Sequence, residues 1–193
     1  MPEPTTPRRR IVGVSTKMYF SATRTACFVT SVIDLLAAPL TTSSKRPALD
    51  EIDVFIVPDH VTLVGVIDQV RSAPAGTPAS RIIVGAQDCS DKDFGAFTGE
   101  VSPAVLAEVG CGIVELGHAE RRRLFGETDA SAASKAAAVV RNRMVPLVCI
   151  PDQEEVVLAY EPVWAIGAAE PAGTGHLLDG IRQLIVVSGW PRI

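Results

Sequence analysis

The 193-residue sequence lacks an excess of positive charge and has no long apolar run. Its net charge is −4 at pH 7, whereas non-specific binding of nucleic acid needs a basic surface. The short basic run Arg121–Arg123 has no aromatic platform beside it. No apolar stretch approaches the roughly 18 residues that span a bilayer. We therefore expect neither a nucleic-acid partner nor a membrane partner.

The sequence also lacks a C-x-x-C pair, a metal-ligand pattern and a secretory signal. Residues 1–10 have no apolar core, so we expect a flexible N-terminal tail rather than a signal peptide. His118 and Glu120 have no third metal-ligating residue at a spacing typical of metal sites, so we expect no metal. The cysteines adjoin apolar stretches, which favours buried free thiols and a cytoplasmic location; they are Cys27, Cys89, Cys111 and Cys149.

Short apolar runs alternate with helix-like stretches, and this alternation predicts an α/β fold with a parallel sheet. Hydrophobic residues make up 47% of the chain and charged residues 21%, as in a soluble globular domain. The predicted strands are Ile11–Ser15, Ile52–Val57, Arg81–Gln87, Gly112–Leu116, Val145–Ile150 and Val156–Tyr160. The predicted helices are Thr23–Leu36, His60–Val70, Val101–Val109, one from Thr128 or Asp129 to about Arg143, and one over Leu177–Ile185.

One connection between predicted strands is too short. Only Pro151–Glu155 separates the fifth strand from the sixth, whereas a parallel crossover normally takes at least ten to twelve residues. The connection therefore lacks the helix of a normal crossover.

Three ionisable residues each follow an apolar strand: Lys17, His118 and Glu161. The carboxyl ends of parallel strands converge on one edge of the sheet, where ligands bind. Together the three side chains would form a compact acid/base site with a fixed positive charge. Each one alone is more typical of a surface or rim residue.

The segments around these residues resemble the triosephosphate isomerase family. Residues 85–100 read GAQDCSDKDFGAFTGE, residues 115–129 read ELGHAERRRLFGETD and residues 159–167 read AYEPVWAIG, in the family's order, with a weaker match at TKMYF, 16–20. The resemblance implies a (β/α)8 barrel. We expect an incomplete one, with about six of its eight strands, in a single domain over residues 11–193.

The resemblance also implies an activity, the interconversion of dihydroxyacetone phosphate and glyceraldehyde 3-phosphate through an enediol. Glu161 matches the base that moves the proton, and His118 matches the neutral electrophile. Lys17 matches the cation that faces the phosphate and the developing charge. The family is cofactor-free and serves glycolysis and gluconeogenesis, so the implied partner is a small phosphorylated sugar.

Further matches imply a lid, substrate contacts and a dimer. Ser15 and Gly167 match substrate-binding positions. The segment that resembles the family's lid consists of Pro162, Val163, Trp164, Ala165, Ile166 and Gly167. Phe97 and Thr98 match the loop that reaches into a partner subunit, and Glu100 and Arg121 match an ion pair near that interface. The resemblance therefore implies a homodimer.

The sequence departs from the family in ways that leave alternatives open. Ser15 stands where the family has asparagine, and Ala119 follows the histidine in place of serine, so an isomerase of a four-carbon ketose phosphate is an alternative. No match appears to the family's seventh and eighth strands, whose loops hold the phosphate. We expect a shortened or divergent member that binds phosphate weakly and self-associates. A non-catalytic relative that acts only as a binding or structural protein is a further alternative.

Overall fold

The computed structural model describes residues 10–38, 49 and 52–149, which lie within the compact unit Met1–Pro151. The strands are β1 (Arg10–Ser15), β2 (Ile52–Val57), β3 (Ile83–Ala86), β4 (Ile113–Leu116) and β5 (Val145–Val148). The helices are α1 (Ala22–Ala37), α2 (Leu63–Arg71), α3 (Pro103–Val109), α4 (Ala119–Phe125) and α5 (Asp129–Arg141), with a 3₁₀ turn over Pro78–Arg81.

The described strands form one parallel sheet in the order β1-β2-β3-β4-β5. Each strand after β1 pairs with the strand that precedes it in sequence. The strand order therefore has no point of reversal, whereas a doubly wound sheet has one. The strands curl into part of a (β/α) barrel, which confirms the predicted fold class. The predicted domain boundaries, 1–10 and 11–193, stay predictions.

Side-chain caps define where several helices begin. Ser102 accepts a hydrogen bond from the Val105 N–H at 3.2 Å, and Pro103 occupies the first turn of α3. Thr128 and Ser131 form a reciprocal capping box at the start of α5. The sequence predicts these two helices over Val101–Val109 and from Thr128 or Asp129, and the caps set their first residues at Pro103 and Asp129.

The hydrophobic core lies between the helices and the sheet. Val29 of α1, Val66 of α2 and Val139 of α5 are at most 1% exposed, and they share one buried cluster with Val114 of β4. The alanines of α5 let this helix approach the sheet closely, since Ala138 is fully buried. This packing fixes the strand ends on which the site is built.

Several predicted boundaries were wrong in detail. The predicted strand Arg81–Gln87 is shortened to Ile83–Ala86, because Thr77-Pro78 begins a 3₁₀ turn that ends at Arg81. The helix predicted from His60 begins at Leu63, after a turn in which the Thr62 N–H donates to the Asp59 carbonyl at 3.0 Å. The predicted strand Val156–Tyr160 and the last predicted helix lie outside the described residues.

The cysteine prediction holds for two residues and fails for one. Cys89 and Cys111 are buried free thiols, Cys149 is partly buried, and Cys27 is exposed on α1. Cys27 is exposed because the buried face of α1 is formed by Thr25 and Val29. In the part of the chain described, no helix is both long and apolar enough to cross a membrane.

Candidate active site

Lys17 lies in a tight turn directly after β1. The Thr16 N–H donates to the Val57 carbonyl at 3.0 Å, and the Gln87 side chain donates to the Lys17 carbonyl at 2.9 Å. Lys17 has a φ of 50°, in the left-handed region that few residues other than glycine adopt. The turn is therefore held from the ends of β2 and β3, and Gln87 is a positioning residue that the sequence analysis did not identify.

His118 is the N-cap of α4, one residue beyond a sharp turn at Gly117. The Gly117 φ is 65°, and a Cβ there would lie 3.1 Å from the Ala132 side chain, so only glycine fits without strain. The His118 Nδ1 atom accepts a hydrogen bond from the Glu120 N–H at 3.1 Å. In the neutral ring Nε2 therefore carries the proton.

The structure brings Lys17 and His118 together, as predicted. The Lys17 Nζ atom is 2.5 Å from His118 Nε2, and both side chains are less than 20% exposed, at 19% and 18%. Because Nδ1 already accepts from the backbone, both approaching groups carry protons, and two donors this close repel each other unless an acceptor oxygen binds them both. They form a donor pair to which an oxygen atom of a ligand would bind.

Two carboxylates flank this donor pair. Glu115 Oε1 is 3.7 Å from Lys17 Nζ and 3.8 Å from His118 Nε2, and Glu120 Oε2 is 3.7 Å from Lys17 Nζ and 3.5 Å from His118 Nδ1. Glu115 is only 7% exposed. Sequence analysis missed Glu115, although a glutamate inside the apolar run of β4 is unusual enough to have indicated it.

A second group of charged side chains forms a largely buried ionic network around Arg121 and Lys135. The Arg121 Nε atom is 2.7 Å from Asp88 Oδ2 and 2.8 Å from Glu127 Oε1. Lys135 Nζ donates to both oxygens of Asp88, at 3.0 and 2.8 Å, and also contacts Glu127. Two cations and two anions thus tie the loop after β3 to α4 and α5.

This network corrects one prediction. Arg121 does not form the expected ion pair with Glu100 among the described residues; its carboxylate partners are Asp88 and Glu127. The physical reason is geometric, because Glu127 lies just beyond the end of the helix that carries Arg121. Glu100 acts on Arg121 only over a longer distance, where it helps to raise the pKa of the guanidinium.

Burial and pairing act in opposite directions on the pKa values of the network. Burial raises the pKa of Asp88, although Lys135 and Arg121 both work to lower it. Burial also works to raise the pKa of Glu127, but hydrogen bonds from Lys135 and Arg121 outweigh it and hold that pKa below its ordinary value. Burial works to lower the pKa of Lys135, but its hydrogen bonds to Asp88 and Glu127 outweigh this effect and raise that pKa.

Arg122 fixes the turn that carries His118. Its Nε atom donates to the Gly117 carbonyl at 2.6 Å, and its Nη1 atom donates to Asp129 at 2.7 Å. Its Nη2 atom also reaches the Cys149 carbonyl at the end of β5, at 3.4 Å. One guanidinium therefore connects the His118 turn to α5 and to the next strand.

The remaining predicted site residues are only partly placed. The Ser15 Oγ atom is buried at the end of β1 and finds no hydrogen-bond partner among the described residues. Glu161 and the predicted lid, Pro162–Gly167, lie outside those residues. Within the described ranges, no cluster of three or more histidine, cysteine, aspartate or glutamate side chains could hold a metal ion.

Of the residues predicted for a subunit interface, Arg121 lies on α4, and Phe97, Thr98 and Glu100 lie on the long connection between β3 and α3. The Glu100 N–H donates to the Phe97 carbonyl at 3.0 Å, which closes a turn around Thr98. Phe97 is 46% exposed and Phe94, three residues earlier, is 79% exposed. Two exposed aromatic rings on one loop are typical of a contact surface.

Comparison with known proteins agrees with this architecture. The family model described as triosephosphate isomerase matches residues 10–156. The chain belongs to the triosephosphate isomerase family. Its relatives in this family include an L-erythrulose-1-phosphate isomerase of Pectobacterium atrosepticum, which is 36% identical over 92% of this chain and 75% of its own length.

Other members of the triosephosphate isomerase family are nearly as similar. A triosephosphate isomerase of Rhodopirellula baltica is 34% identical over 86% of this chain and 70% of its own length. The solved triosephosphate isomerase of Bartonella henselae matches with a TM-score of 0.56 and 25% identity, over 74% of this chain. The match covers 52% of that structure, so the chain spans about half of its length.

Proposed function

We propose that this protein is an aldose–ketose isomerase that moves a proton between adjacent carbons of a small phosphorylated sugar. The observation that carries the proposal is the donor pair, in which Lys17 Nζ and His118 Nε2 lie 2.5 Å apart at the carboxyl ends of β1 and β4. Proton transfer to and from an enediol develops negative charge on the substrate oxygens. Two converging donors stabilise that charge.

Each residue has a distinct role in this reaction. Glu161 takes the proton from one carbon and returns it to the next, since a carboxylate is unprotonated at neutral pH. His118, with its proton on Nε2, polarises the carbonyl and passes protons between the two oxygens. Lys17 supplies fixed positive charge. The electrons stay within the substrate, so the reaction needs no cofactor.

Ser15 and the segment 162–167 complete the proposed site. The buried Ser15 hydroxyl, which has no partner among the described residues, is suited to bind a polar substrate group. Pro162–Gly167 closes over the substrate as a lid, with Gly167 contacting the phosphate. Closure excludes water and so protects an enediol phosphate from losing its phosphate group.

Two substrates are candidates. The first is dihydroxyacetone phosphate with glyceraldehyde 3-phosphate, which would place the enzyme in glycolysis and gluconeogenesis. The second is a four-carbon ketose phosphate, which is favoured by the 36% identity to a protein named L-erythrulose-1-phosphate isomerase. The two substrates share the same enediol chemistry and differ in chain length.

The proposed assembly and location follow from the surface and the thiols. A homodimer would cover the exposed rings of Phe94 and Phe97. A cytoplasmic location suits cysteines that form no disulfide. Burial raises the pKa of Cys89 to about 12 and that of Cys111 to about 11, so both stay protonated and unreactive.

The Glu161→Gln variant tests the reaction. The amide has nearly the same shape but cannot take a proton, so we expect kcat to fall at least about 100-fold with the fold intact. The assay measures turnover of dihydroxyacetone phosphate and of L-erythrulose 1-phosphate. Glu108→Gln makes the same chemical change at an exposed position of α3 and serves as the control.

Three outcomes are informative. Activity of Glu161→Gln within about tenfold of the parent would show that the base is wrongly assigned. Absence of turnover of both substrates by the parent would favour the non-catalytic alternative. Equal activity of the parent and Glu108→Gln, with loss only in Glu161→Gln, would support the proposal.

A further inference from the structure

We propose that Glu115 is a specificity residue that binds a substrate hydroxyl beyond the reacting carbons, and that the site therefore selects a four-carbon ketose phosphate. The inference rests on the proposed isomerase function and adds to it a preference between the two candidate substrates. It begins from a largely buried carboxylate that pairs with Lys17 and that accepts no hydrogen bond from the residues the structure describes.

The position of Glu115 is set by β4. Its neighbours in the strand, Val114 and Leu116, are fully buried, and Glu115 itself is only 7% exposed. Its carboxylate reaches the donor pair but stays outside hydrogen-bonding distance, at 3.7 Å from Lys17 Nζ and 3.8 Å from His118 Nε2. No other described residue donates a hydrogen bond to it.

The Glu115 carboxylate can still accept a hydrogen bond. At 3.7 and 3.8 Å, its contacts with Lys17 and His118 are ion-pair contacts rather than hydrogen bonds, so they leave its oxygens able to accept one from a ligand. An incoming ligand that carries a hydroxyl group can donate this hydrogen bond. The arrangement therefore favours a ligand with a hydroxyl near Glu115.

The chemistry of a carboxylate excludes the other parts of the substrate. An ionised carboxylate only accepts hydrogen bonds, so it repels phosphate oxygens and the oxygens of an enediolate. Those groups belong with Lys17 and His118. A neutral hydroxyl is the group of a sugar phosphate that a carboxylate binds.

The two candidate substrates differ in this group. Dihydroxyacetone phosphate has one hydroxyl, and it lies on a reacting carbon. A four-carbon ketose 1-phosphate has a terminal hydroxymethyl group beyond the reacting carbon, whose hydroxyl is free to donate to Glu115. The proton that isomerises still moves between the two reacting carbons, and no bond to Glu115 forms or breaks.

Two substitutions separate binding of a hydroxyl from removal of a carbon-bound proton. Glu115→Leu removes the acceptor and the charge, whereas Glu115→Gln keeps an acceptor oxygen but cannot act as a base. If Glu115 binds a hydroxyl, the glutamine variant retains part of the activity that the leucine variant loses. If Glu115 were the base, both variants would be equally inactive on both substrates.

The experiment measures kcat/KM for L-erythrulose 1-phosphate and for dihydroxyacetone phosphate, in the parent chain and in Glu115→Leu, Glu115→Gln and the control Glu108→Gln. We expect Glu115→Leu to lower kcat/KM for the four-carbon substrate by about 10- to 100-fold, the effect of one charged hydrogen bond. Loss of the charge beside Lys17 affects both substrates, so the test is the ratio of the two kcat/KM values, which we expect to shift by at least about tenfold toward the triose. Circular dichroism and urea unfolding check that each variant folds.

The possible failures are distinguishable. Equal losses on both substrates, or a glutamine variant as inactive as the leucine variant, would overturn the role of Glu115 while the isomerase function stands. A parent chain that turns over neither substrate would overturn the proposed function and this inference with it. If the leucine variant fails to fold, the substrate ratio of the glutamine variant decides the question.

Discussion

Lys135 is the cation on which two buried carboxylates depend. Its side chain is 12% exposed, and it contacts Asp88 and Glu127, whose side chains are 11% and 6% exposed. Removing one partner of a buried ion pair leaves charge without compensation, which is far more costly than losing a pair in water. Arg121 is the only other cation in the network as described, and it already serves both carboxylates.

We therefore expect Lys135→Met to lower the free energy of unfolding by about 3 kcal/mol. Lys92→Met is the matched control, because Lys92 pairs with Asp91 in solvent and its side chain is 55% exposed. That change should cost no more than about 0.5 kcal/mol. Urea unfolding of both variants measures the difference, and equal losses would show that the network contributes no special stability.

The individual side chains differ in how far the sequence could reveal them. The nearness of Lys17 and His118 was predictable because parallel strands bring their ends to one edge, but only the resemblance to the triosephosphate isomerase family distinguished them from ordinary rim residues. Glu115 was missed because the apolar run around it indicated only a strand. The partners of Arg121 were missed because charged residues on different loops carry no signal of which ones meet.

Among the strands and helices, β3 passes close to both of its neighbouring strands at Gly85. A Cβ added at Gly85 would lie 2.6 Å from the Ile113 side chain and 2.9 Å from the Val57 side chain. Both neighbours belong to the paired strands and are themselves almost fully buried. The close approach of β2, β3 and β4 at this level requires glycine.

We expect Gly85→Ala to destabilise the protein by about 1–3 kcal/mol, because the added methyl group overpacks the sheet. Gly65→Ala is the control, since a Cβ at Gly65 meets nothing within 4 Å and the residue lies on the exposed side of α2. The control should instead gain up to about 1 kcal/mol, because alanine favours a helix. Thermal or urea unfolding distinguishes them, and a stable Gly85→Ala variant would contradict this account of the sheet.

At the level of these elements, the sequence predicted types better than boundaries. The alternation of apolar runs with helical stretches indicated every described strand, because a strand buried on both faces is nearly continuous in valine, isoleucine and leucine. The 3₁₀ turn before β3 was not predictable, because its last residue, Arg81, also adjoins an apolar run.

For the protein as a unit, the connection between β3 and α3 is the contact surface of the proposed homodimer. Phe97 is half-exposed on this loop, and an aromatic ring at the centre of an interface commonly carries much of its binding energy. We expect Phe97→Asp to shift a dimer to monomer by raising the dissociation constant at least about 30-fold, the effect of losing roughly 2 kcal/mol of binding energy. Sedimentation equilibrium measures this shift.

Val64→Asp provides the comparison for assembly. Val64 is 50% exposed near the start of α2, away from the loop, and an acidic residue suits the first turn of a helix. This variant should assemble as the parent does. Dissociation by both substitutions alike would place the contact surface elsewhere, and a parent that is monomeric at all concentrations would contradict the homodimer.

The order of the described strands has a consequence for how the protein is made. Each of β2 to β5 finds its pairing partner in the strand synthesised just before it, so the sheet can grow one βα unit at a time as the chain leaves the ribosome. The candidate site forms later than the first strand pairs. Lys17 follows the first strand and His118 follows the fourth, so the donor pair exists only after the fourth strand has been made.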